Sequence, residues 1–259
     1  MDHTQVPTFA DDWNTHWDEL HESAARNPAQ RYRQRLLAAL LERGGTPQRI
    51  VDIGSGTGDF AVYARVRWPA SSFLGLEYSA SGVRIAESKL PDARFRHVDL
   101  VQDGVAPTSE DRGWATHAVC SEVLEHVDDP TLLIANARAW LTPGARVAVT
   151  VPGGPMSAFD RHIGHRRHFK PTDLENVLTE AGYTIIDAGS AGFPFFNLYR
   201  TLVITRGERL IDDVNGSASA PSDGNSTLAT TVMAAFDPLF RLNLSRSPYG
   251  WQTWAVARA

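Results

Sequence analysis

Short apolar runs alternate with amphipathic segments along most of this chain. The runs at 50–53, 72–77, 94–99, 116–120, 146–151 and 183–186 are typical of six strands, and helical spacing of apolar positions separates them. Alternating strands and helices predict an α/β fold, in which helices cover both faces of a mostly parallel sheet. A run at 253–257 predicts a seventh and last strand. Ligands of such sheets bind beyond the carboxyl ends of the strands.

Predicted helices that lie outside this alternation indicate how the chain is divided into a core and additional segments. Two helices are predicted ahead of the first strand, and aromatic and helical segments separate the sixth strand from the seventh. A stretch near 212–227 is rich in Gly, Ser, Asp and Asn, which predicts a mobile loop. We therefore expect an N-terminal helical cap (1–44), a core (45–190), a helical insertion or lid (191–250) and a final core strand (251–259).

Three glycines at alternating positions, Gly54, Gly56 and Gly58, follow the first strand. Glycine allows a positive φ and lets a ligand approach the backbone closely. A dinucleotide-binding turn would carry glycine or alanine at the next fingerprint position, but Asp59 occupies it, and a carboxylate repels a diphosphate. With Asp52 two residues ahead of the turn, a ligand that carries positive charge, such as S-adenosylmethionine, is favoured over NAD.

Acids also close the second and third strands. The carboxylate of Glu77 can accept two hydrogen bonds from a ribose diol, and Tyr78 beside it can lie against an adenine ring. Asp99 can accept a hydrogen bond from the adenine amino group, with Leu100 alongside. Each acid alone is also compatible with helix capping or with a solvated loop. Together with the glycine turn, they predict a nucleoside site at one edge of the sheet.

Composition narrows the class of protein. The formal net charge of −5 argues against non-specific nucleic-acid binding, and the single cysteine, Cys120, excludes a disulfide framework. No apolar run reaches the about 18 residues of a membrane span, and the start of the chain lacks the regions of a signal peptide. We expect a cytoplasmic protein with a small-molecule substrate, no nucleic-acid partner and no membrane association.

The order of these motifs resembles class I S-adenosylmethionine-dependent methyltransferases. The matching segments are VDIGSGTG, LGLEYSASG, HVD, CSEVLEHVDDP and LTPGARVAVTVP, within residues 45–190. The resemblance implies a seven-stranded Rossmann-like sheet whose last strand runs antiparallel beside the fifth, with S-adenosyl-L-homocysteine as product. Taken with the residue patterns, it gives the expected cofactor contacts: Asp52, Gly54, Ser55, Gly56, Gly58, Glu77, Tyr78, Asp99, Leu100 and Ser121.

The segment after the fourth strand is similar to one in ubiquinone-biosynthesis O-methyltransferases and in small-RNA 2′-O-methyltransferases. It is predicted to begin a helix on which Glu122, Glu125 and His126 share one face. In some of those enzymes glutamates and histidines hold a divalent metal, a role that suits Mg²⁺ or a transition metal. His126 as a general base, or as a packed histidine, is the alternative.

The acceptor side is predicted from three further segments. Arg166 and Arg167 form a cationic patch that suits a carboxylate or phosphate, although a solvated loop would look the same. His165 and His168 are candidates for a second base or a further metal ligand. The residues expected to contact substrate, rather than only to pack, are Trp13, Trp17, Glu122, Arg166, Arg167 and Phe196.

The predicted reaction is in-line displacement at the cofactor methyl group. The protein would align an O, N or C nucleophile and remove its proton, with His126, His165 and His168 as candidate bases. The favoured acceptor is an aromatic or anionic small molecule of the secondary-metabolite kind. The alternatives are an RNA 2′-O-methyltransferase with a Glu/His metal site, a non-catalytic cofactor-binding regulatory protein and, because of Asp59 least favoured, an NAD-dependent oxidoreductase.

Overall fold

Seven strands form one sheet in the order β3-β2-β1-β4-β5-β7-β6. The computed structural model describes residues 12–205 and 236–259. Strand β7 runs antiparallel to both β5 and β6, and the other pairings are parallel, which confirms the predicted fold. The strands are β1 (Arg49–Ile53), β2 (Ser72–Glu77), β3 (Arg94–His97), β4 (Ala115–Ser121), β5 (Leu141–Pro152), β6 (Thr184–Ala191) and β7 (Gln252–Arg258).

Eight helices that lie wholly within the described residues surround this sheet. They are α1 (Trp13–Arg26), α2 (Pro28–Glu42), α3 (Asp59–Arg67), α4 (Ala80–Lys89), α5 (Pro130–Ala137), α6 (Ala158–His162), α7 (Pro171–Glu180) and α8 (Phe195–Thr205). The side chain of Asn27 accepts a hydrogen bond from the Ala29 amide, and Pro28 begins α2, so the break predicted between two N-terminal helices is present. No helix in the described ranges is long and apolar enough to cross a membrane.

Apolar side chains pack on both faces of the central strands. Val51 and Ile53 belong to the cluster on one face, and Ile50 belongs to the cluster on the other. This burial explains why β1 is almost continuously apolar rather than alternating. The order of the strands reverses between β1 and β4, because β1 leads to β2 on one side and β4 leads to β5 on the other. The carboxyl ends of these strands therefore open the crevice where ligands bind in doubly wound sheets.

The segment at 121–126 differs from its predicted helix. Glu122 has a φ of 56°, in the left-handed region, and Leu124–His126 form a single 3₁₀ turn. The Glu122 amide donates to the Thr150 carbonyl at 2.9 Å and so remains tied to β5, while α5 begins only after Asp129 caps it. The prediction that Glu122 shares a helical face with Glu125 and His126 is therefore wrong.

Part of the predicted insertion lies within the described residues. Helix α8 and the 3₁₀ turn Phe240–Leu242 pack on α2 through a cluster of aromatic side chains: Tyr32, Phe196, Tyr199, Phe236 and Phe240. The loop predicted near 212–227 and most of the helix predicted beyond it fall outside the described residues. The aromatic residues that are described attach this part of the chain to the N-terminal helices.

Candidate active site

The turn after β1 has the backbone that its three glycines predict. Gly54, Gly56 and Gly58 have φ values of 70°, 52° and 75°, which residues with side chains rarely adopt. A Cβ on Gly54 would lie 2.4 Å from Cγ2 of Val123. The amides of Gly54 and Ser55 donate to the Leu76 carbonyl at 2.8 and 3.1 Å, which fixes the turn against the end of β2.

Glu77 is oriented by this turn. Its Oε2 accepts from the Gly56 amide at 2.7 Å, and its Oε1 accepts from the Ser79 amide at 2.8 Å. A carboxylate oxygen has two acceptor positions, so each oxygen retains one for a further donor such as a ribose hydroxyl. Burial raises the pKa of Glu77, although the two amides oppose this shift. The position and spare acceptor capacity of Glu77 fit the predicted role.

A cavity of about 500 Å³ opens beyond the ends of β1, β2 and β4, a volume typical of a small-molecule site. Half of the ten predicted cofactor residues line it: Gly54, Glu77, Tyr78, Asp99 and Leu100. Four of the predicted acceptor-side residues also line it, Trp13, Trp17, Glu122 and Arg166, together with His126. The structure therefore brings the two predicted groups of side chains to one space.

The other predicted cofactor residues lie around this cavity rather than on its wall. Gly56 lies under Trp17, and Gly58 packs on Ala86. The hydroxyls of Ser121 and Thr150 are 2.9 Å apart. The buried Ser55 hydroxyl has no hydrogen-bonding partner among the described residues.

Asp52 lies behind the glycine turn and is only 5% exposed. Burial, with smaller effects of the negative charges on Glu77 and Asp59, raises the pKa of Asp52 to about 7. Asp59 itself accepts from Lys89 at 2.6 Å and from Gln30 at 3.0 Å. The carboxylate of Asp59, which was expected to attract a cationic ligand, is therefore bonded to Lys89 of α4 and Gln30 of α2.

Helix α1 covers the glycine turn. A Cβ on Gly56 would lie 2.9 Å from the Trp17 ring, so glycine makes room for the indole. Asn14 holds α1 in place by accepting from the Ser79 hydroxyl at 2.9 Å and from the Ser81 amide at 3.1 Å. The structure therefore places the predicted aromatic cap directly above the loop between β2 and α4.

Three histidines form a row that leads away from the cavity. His126 lies in edge contact with Trp13 on one side and with His165 on the other, each at a ring-centroid distance of 4.7 Å. Nδ1 of His165 is 3.3 Å from Nε2 of His168. Burial lowers the pKa of His165 to about 3 and also lowers the pKa of His168. Of these three predicted bases, His126 is the one on the cavity wall.

Glu125 lies behind His126 and is fully buried. Neither of its carboxylate oxygens has a hydrogen-bonding partner among the described residues, and burial raises its pKa well above the ordinary value. One ligand atom from each of Glu125, His126 and His165 lies within 4.8 Å of the others. A carboxylate and two imidazoles suit a divalent transition metal, so this donor set fits an ion better than the predicted set containing Glu122. Glu122 instead accepts from Gln252 at 2.8 Å.

The other predicted acceptor-side residues have protein partners. Arg166 forms an ion pair with Asp128, and Arg167 donates to the carbonyls of Val127 and Asp128. Phe196 is buried in the aromatic cluster against α2 rather than on the cavity wall. The cationic patch is therefore satisfied largely by the segment that leads from β4 into α5.

Sequence reasoning missed one wall of the cavity. Eight of its residues come from the loop after β3, from the segment that leads into α5 and from the first turn of that helix: Val98, Val101, Val123, Val127, Asp128, Asp129, Leu132 and Leu133. The Asp-Pro pair that starts α5 could have shown that this helix begins at the crevice. Apolar side chains there are otherwise indistinguishable in sequence from core residues.

Comparison with known proteins identifies the family of this chain. A family model described as a methyltransferase domain matches residues 24–188, more than half of the chain. The trans-aconitate 2-methyltransferase of Variovorax paradoxus is 29% identical over 143 residues, covering 54% of this chain and 50% of that protein. The enzyme of the same name from Escherichia coli is 33% identical over 189 residues, covering 66% and 68%. This chain thus spans about half the length of the first of these relatives.

A solved structure shows the same fold. Geranyl diphosphate C-methyltransferase from Streptomyces coelicolor, in complex with Mg²⁺, geranyl-S-thiolodiphosphate and S-adenosyl-L-homocysteine, superposes with a TM-score of 0.53 at 16% identity. The alignment covers 87% of this chain and 74% of that one. The family match, together with this fold, identifies an S-adenosylmethionine-dependent methyltransferase domain, which confirms the predicted cofactor. The chain belongs to the methyltransferase-domain family that matches residues 24–188.

Proposed function

We propose that the protein transfers the methyl group of S-adenosylmethionine to a small-molecule acceptor by in-line displacement. The observation that carries this proposal is the shared cavity, whose wall includes both the nucleoside-binding candidates Glu77 and Asp99 and the imidazole of His126. The cofactor supplies an electrophilic methyl group. The protein is left to align the acceptor and to accept its proton.

Residues at the strand ends would hold the cofactor. Glu77 would accept from the ribose hydroxyls with the acceptor positions that its two amide bonds leave unused. Asp99 and Leu100 would contact the adenine, and Tyr78, which is exposed at the rim of the cavity, would lie against its ring. Gly54 would allow the cofactor to approach the backbone.

His126 is the proposed proton acceptor. It lies on the cavity wall, whereas His165 and His168 lie behind it, with their lowered pKa values keeping both neutral near pH 7. An imidazole suits this role because its ordinary pKa is close to neutrality. His165 and His168 would support His126 rather than contact the acceptor.

The acceptor is proposed to be an aromatic or anionic small molecule with an O, N or C nucleophile. Trp13, Leu132 and Leu133 give the wall an apolar character, and Arg166 is the cation that an anionic group would meet there. Two curated relatives are named for trans-aconitate, which makes this tricarboxylate the first acceptor to test. Within the predicted cap (1–44) and insertion (191–250), the described residues are proposed to cap the core and cover the acceptor.

A metal-assisted form of the same reaction is the second candidate. It is favoured by the grouping of Glu125, His126 and His165, and it would fit the resemblance of 121–126 to ubiquinone-biosynthesis and small-RNA methyltransferases. A bound divalent ion would orient and acidify an acceptor hydroxyl. Loss of transfer after dialysis against EDTA, with recovery in Mg²⁺ or Mn²⁺, would support this form, and Glu125→Gln should then abolish the recovery. An RNA acceptor is disfavoured by the net charge of −5.

Replacement of His126, the proposed base, tests its role in turnover separately from cofactor binding. We expect His126→Ala to lower turnover by roughly 100-fold or more, because general-base catalysis contributes about 10²–10⁴-fold, while affinity for S-adenosyl-L-homocysteine stays nearly unchanged. Turnover is measured as transfer from methyl-labelled cofactor, with trans-aconitate as the first acceptor. Affinity for S-adenosyl-L-homocysteine is measured by calorimetry, with NAD as the negative control ligand.

His117→Ala is the matched control, since His117 lies on β4 and lines neither the cavity nor a neighbouring recess. An equal loss of turnover and cofactor affinity in His126→Ala would contradict the proposed role of His126 as proton acceptor. Absence of S-adenosyl-L-homocysteine binding to the wild type would remove the proposed function altogether.

A further inference from the structure

Glu122 holds a backbone conformation that is costly for a residue with a side chain. Its φ of 56° lies in the left-handed region, and among the described residues it is the one position there that is not glycine. Such residues persist where their surroundings fix them, and they cluster at active sites and ligand contacts. The carboxylate of Glu122 is therefore a candidate for a role that glycine could not serve.

Two hydrogen bonds hold Glu122 at the end of β4. Its amide donates to the Thr150 carbonyl of β5 at 2.9 Å, and its Oε1 accepts from Nε2 of Gln252 at 2.8 Å. Gln252 is the first residue of β7 and is buried, and its Nε2 also donates to the Val151 carbonyl at 2.9 Å. Because both neighbours are acceptors, the amide nitrogen of Gln252 must face them, which assigns the orientation of this side chain.

The second oxygen of the Glu122 carboxylate is open. Its Oε2 accepts no hydrogen bond from the described residues, and its ion-pair partner, Nη1 of Arg33, is 3.7 Å away, beyond hydrogen-bond distance. The side chain of Glu122 is 22% exposed and lines the cavity. A carboxylate oxygen that is open in a cavity wall can accept hydrogen bonds from a ligand.

Charge favours an ammonium group as that ligand. An ammonium donates hydrogen bonds and carries the charge opposite to that of a carboxylate, and such a contact is typically about 2.8 Å long. Arg33 would repel a cation, so the ammonium would approach Oε2 from the side away from Arg33. On that side the carboxylate is nearer than the guanidinium, and attraction exceeds repulsion.

The order of the strand ends indicates where such a group comes from. The proposed adenine and ribose contacts, Asp99 and Glu77, follow β3 and close β2. Strand β1 comes next in the sheet and β4 after it, with about 4.8 Å between neighbouring strands. The part of the cofactor beyond the ribose would therefore extend toward the ends of β1 and β4. Glu122 lies at that end, and Val123 beside it lies over Gly54 of the glycine turn.

We propose that Glu122 binds an ammonium group in the cavity and that Gln252 is a positioning residue for its carboxylate. The order of the strand ends assigns this group to the amino-acid part of S-adenosylmethionine rather than to an amine acceptor. The inference rests on the proposed function, to which it adds a contact for the half of the cofactor that Glu77 and Asp99 do not reach. It also gives β7 a role in the site, through its first residue.

Calorimetry of the full chain with two nucleosides tests this contact. S-adenosyl-L-homocysteine carries the ammonium group, whereas methylthioadenosine has the same adenosine and sulfur without the amino-acid part. Glu122→Gln keeps the size of the side chain and removes its charge. We expect its affinity for S-adenosyl-L-homocysteine to fall by about tenfold or more, because a hydrogen bond between charged groups is lost. Its affinity for methylthioadenosine should stay within about twofold, because distant contacts contribute independently.

Gln252→Met tests the positioning role. Methionine is similar in size but cannot donate the hydrogen bond that Glu122 accepts. We expect the affinity for S-adenosyl-L-homocysteine to fall and the affinity for methylthioadenosine to stay unchanged, whereas general damage to the fold would lower both.

Glu42 on α2 offers a matched control. Like Glu122, it pairs with an arginine, Arg67 at 2.7 Å, and accepts from a neutral donor, Trp68 at 2.9 Å, but it lies outside the cavity wall. Glu42→Gln should therefore leave the affinities for both nucleosides unchanged.

A second pair of ligands distinguishes the cofactor from an amine acceptor. Phenethylamine, with phenethyl alcohol as its neutral match, is titrated into the complex with S-adenosyl-L-homocysteine. If Glu122→Gln weakens binding of the amine alone and leaves S-adenosyl-L-homocysteine unaffected, the ammonium site is supported with the acceptor as its source.

Two results would overturn the proposal. One is an affinity for S-adenosyl-L-homocysteine and for phenethylamine that is the same in Glu122→Gln as in the wild type. The other is an equal loss for S-adenosyl-L-homocysteine and methylthioadenosine in Glu122→Gln. Failure of the wild type to bind either nucleoside is a separate result: it would remove the proposed function, and this inference with it.

Discussion

At the scale of single residues, the roles of some site residues could be predicted from sequence, whereas the contacts of others depend on how the helices pack on the sheet. The three glycines and the acid at the end of β2 could be predicted, because a turn with positive φ values and a carboxylate at a strand end leave plain signals. The contact of Trp17 with Gly56 could not, since it depends on how α1 lies over the sheet. The same holds for the pairing of Asp59 with Lys89.

Asp52 gives a prediction at this scale. Its pKa is about 7 in the folded protein and about 4 in an unfolded chain, so the unfolded state loses its proton first as the pH rises. Stability is therefore lost between about pH 4 and pH 7, by an amount on the order of 4 kcal/mol for three pH units. We expect Asp52→Asn to be more stable than the wild type at pH 8, with a smaller advantage at pH 4.

Thermal unfolding of the protein without cofactor at the two pH values checks this expectation. Calorimetry should show weaker binding of S-adenosylmethionine to the same variant, because its ammonium and sulfonium groups would lose a nearby negative charge. An advantage of Asp52→Asn that does not change with pH would contradict the assignment of a raised pKa.

At the scale of elements, the order of strands and helices was predictable, but two local features were not. The 3₁₀ turn at Leu124–His126 replaces a helix because the Glu122 amide stays bonded to β5. Strand β5 begins at Leu141 rather than near 146, and its pairing with β4 shifts between Ala115 and His117 to accommodate the extra residues. Tertiary hydrogen bonds overrode local pattern at both places.

Helix α1 gives the prediction at this scale. Trp17 lies on the glycine turn and lines the cavity, so Trp17→Ala removes apolar contact area from the cofactor side. We expect affinity for S-adenosyl-L-homocysteine to fall by about tenfold, which corresponds to about 1.4 kcal/mol. Trp114→Ala is the size-matched control, since Trp114 packs against Arg94 and lies outside the cavity wall. If calorimetry finds the same affinity for S-adenosyl-L-homocysteine in the two variants, α1 does not cover the cofactor.

At the scale of the whole molecule, the sheet depends on its last strand. Strand β7 pairs with both β5 and β6, and Trp254 at its centre is fully buried. The resemblance to a known family predicted this antiparallel strand, whereas hydrophobic pattern alone gave only its existence. Pattern could not give the strand order, because pairing partners distant in sequence leave no local signal.

Removal of β7 tests this dependence. A chain that stops before Gln252 leaves β5 and β6 without a shared neighbour, and we expect it to lose the cooperative thermal transition seen by circular dichroism. A chain that stops after Arg258 should keep the cooperative transition, since it retains the strand and loses only the two backbone hydrogen bonds of Ala259. Cooperative unfolding of the shorter chain would show that the sheet folds without β7.

The left-handed backbone at Glu122 has a consequence for engineering. A residue with a Cβ is disfavoured there by about 1–2 kcal/mol, and glycine is not. Glu122→Gly would relieve this backbone cost, but it would also remove the hydrogen bond from the buried Gln252 side chain and a side chain that lines the cavity. The strained backbone at Glu122 is therefore coupled to a contact with β7, so a substitution chosen only to relax the turn would alter both the site and its attachment to the last strand.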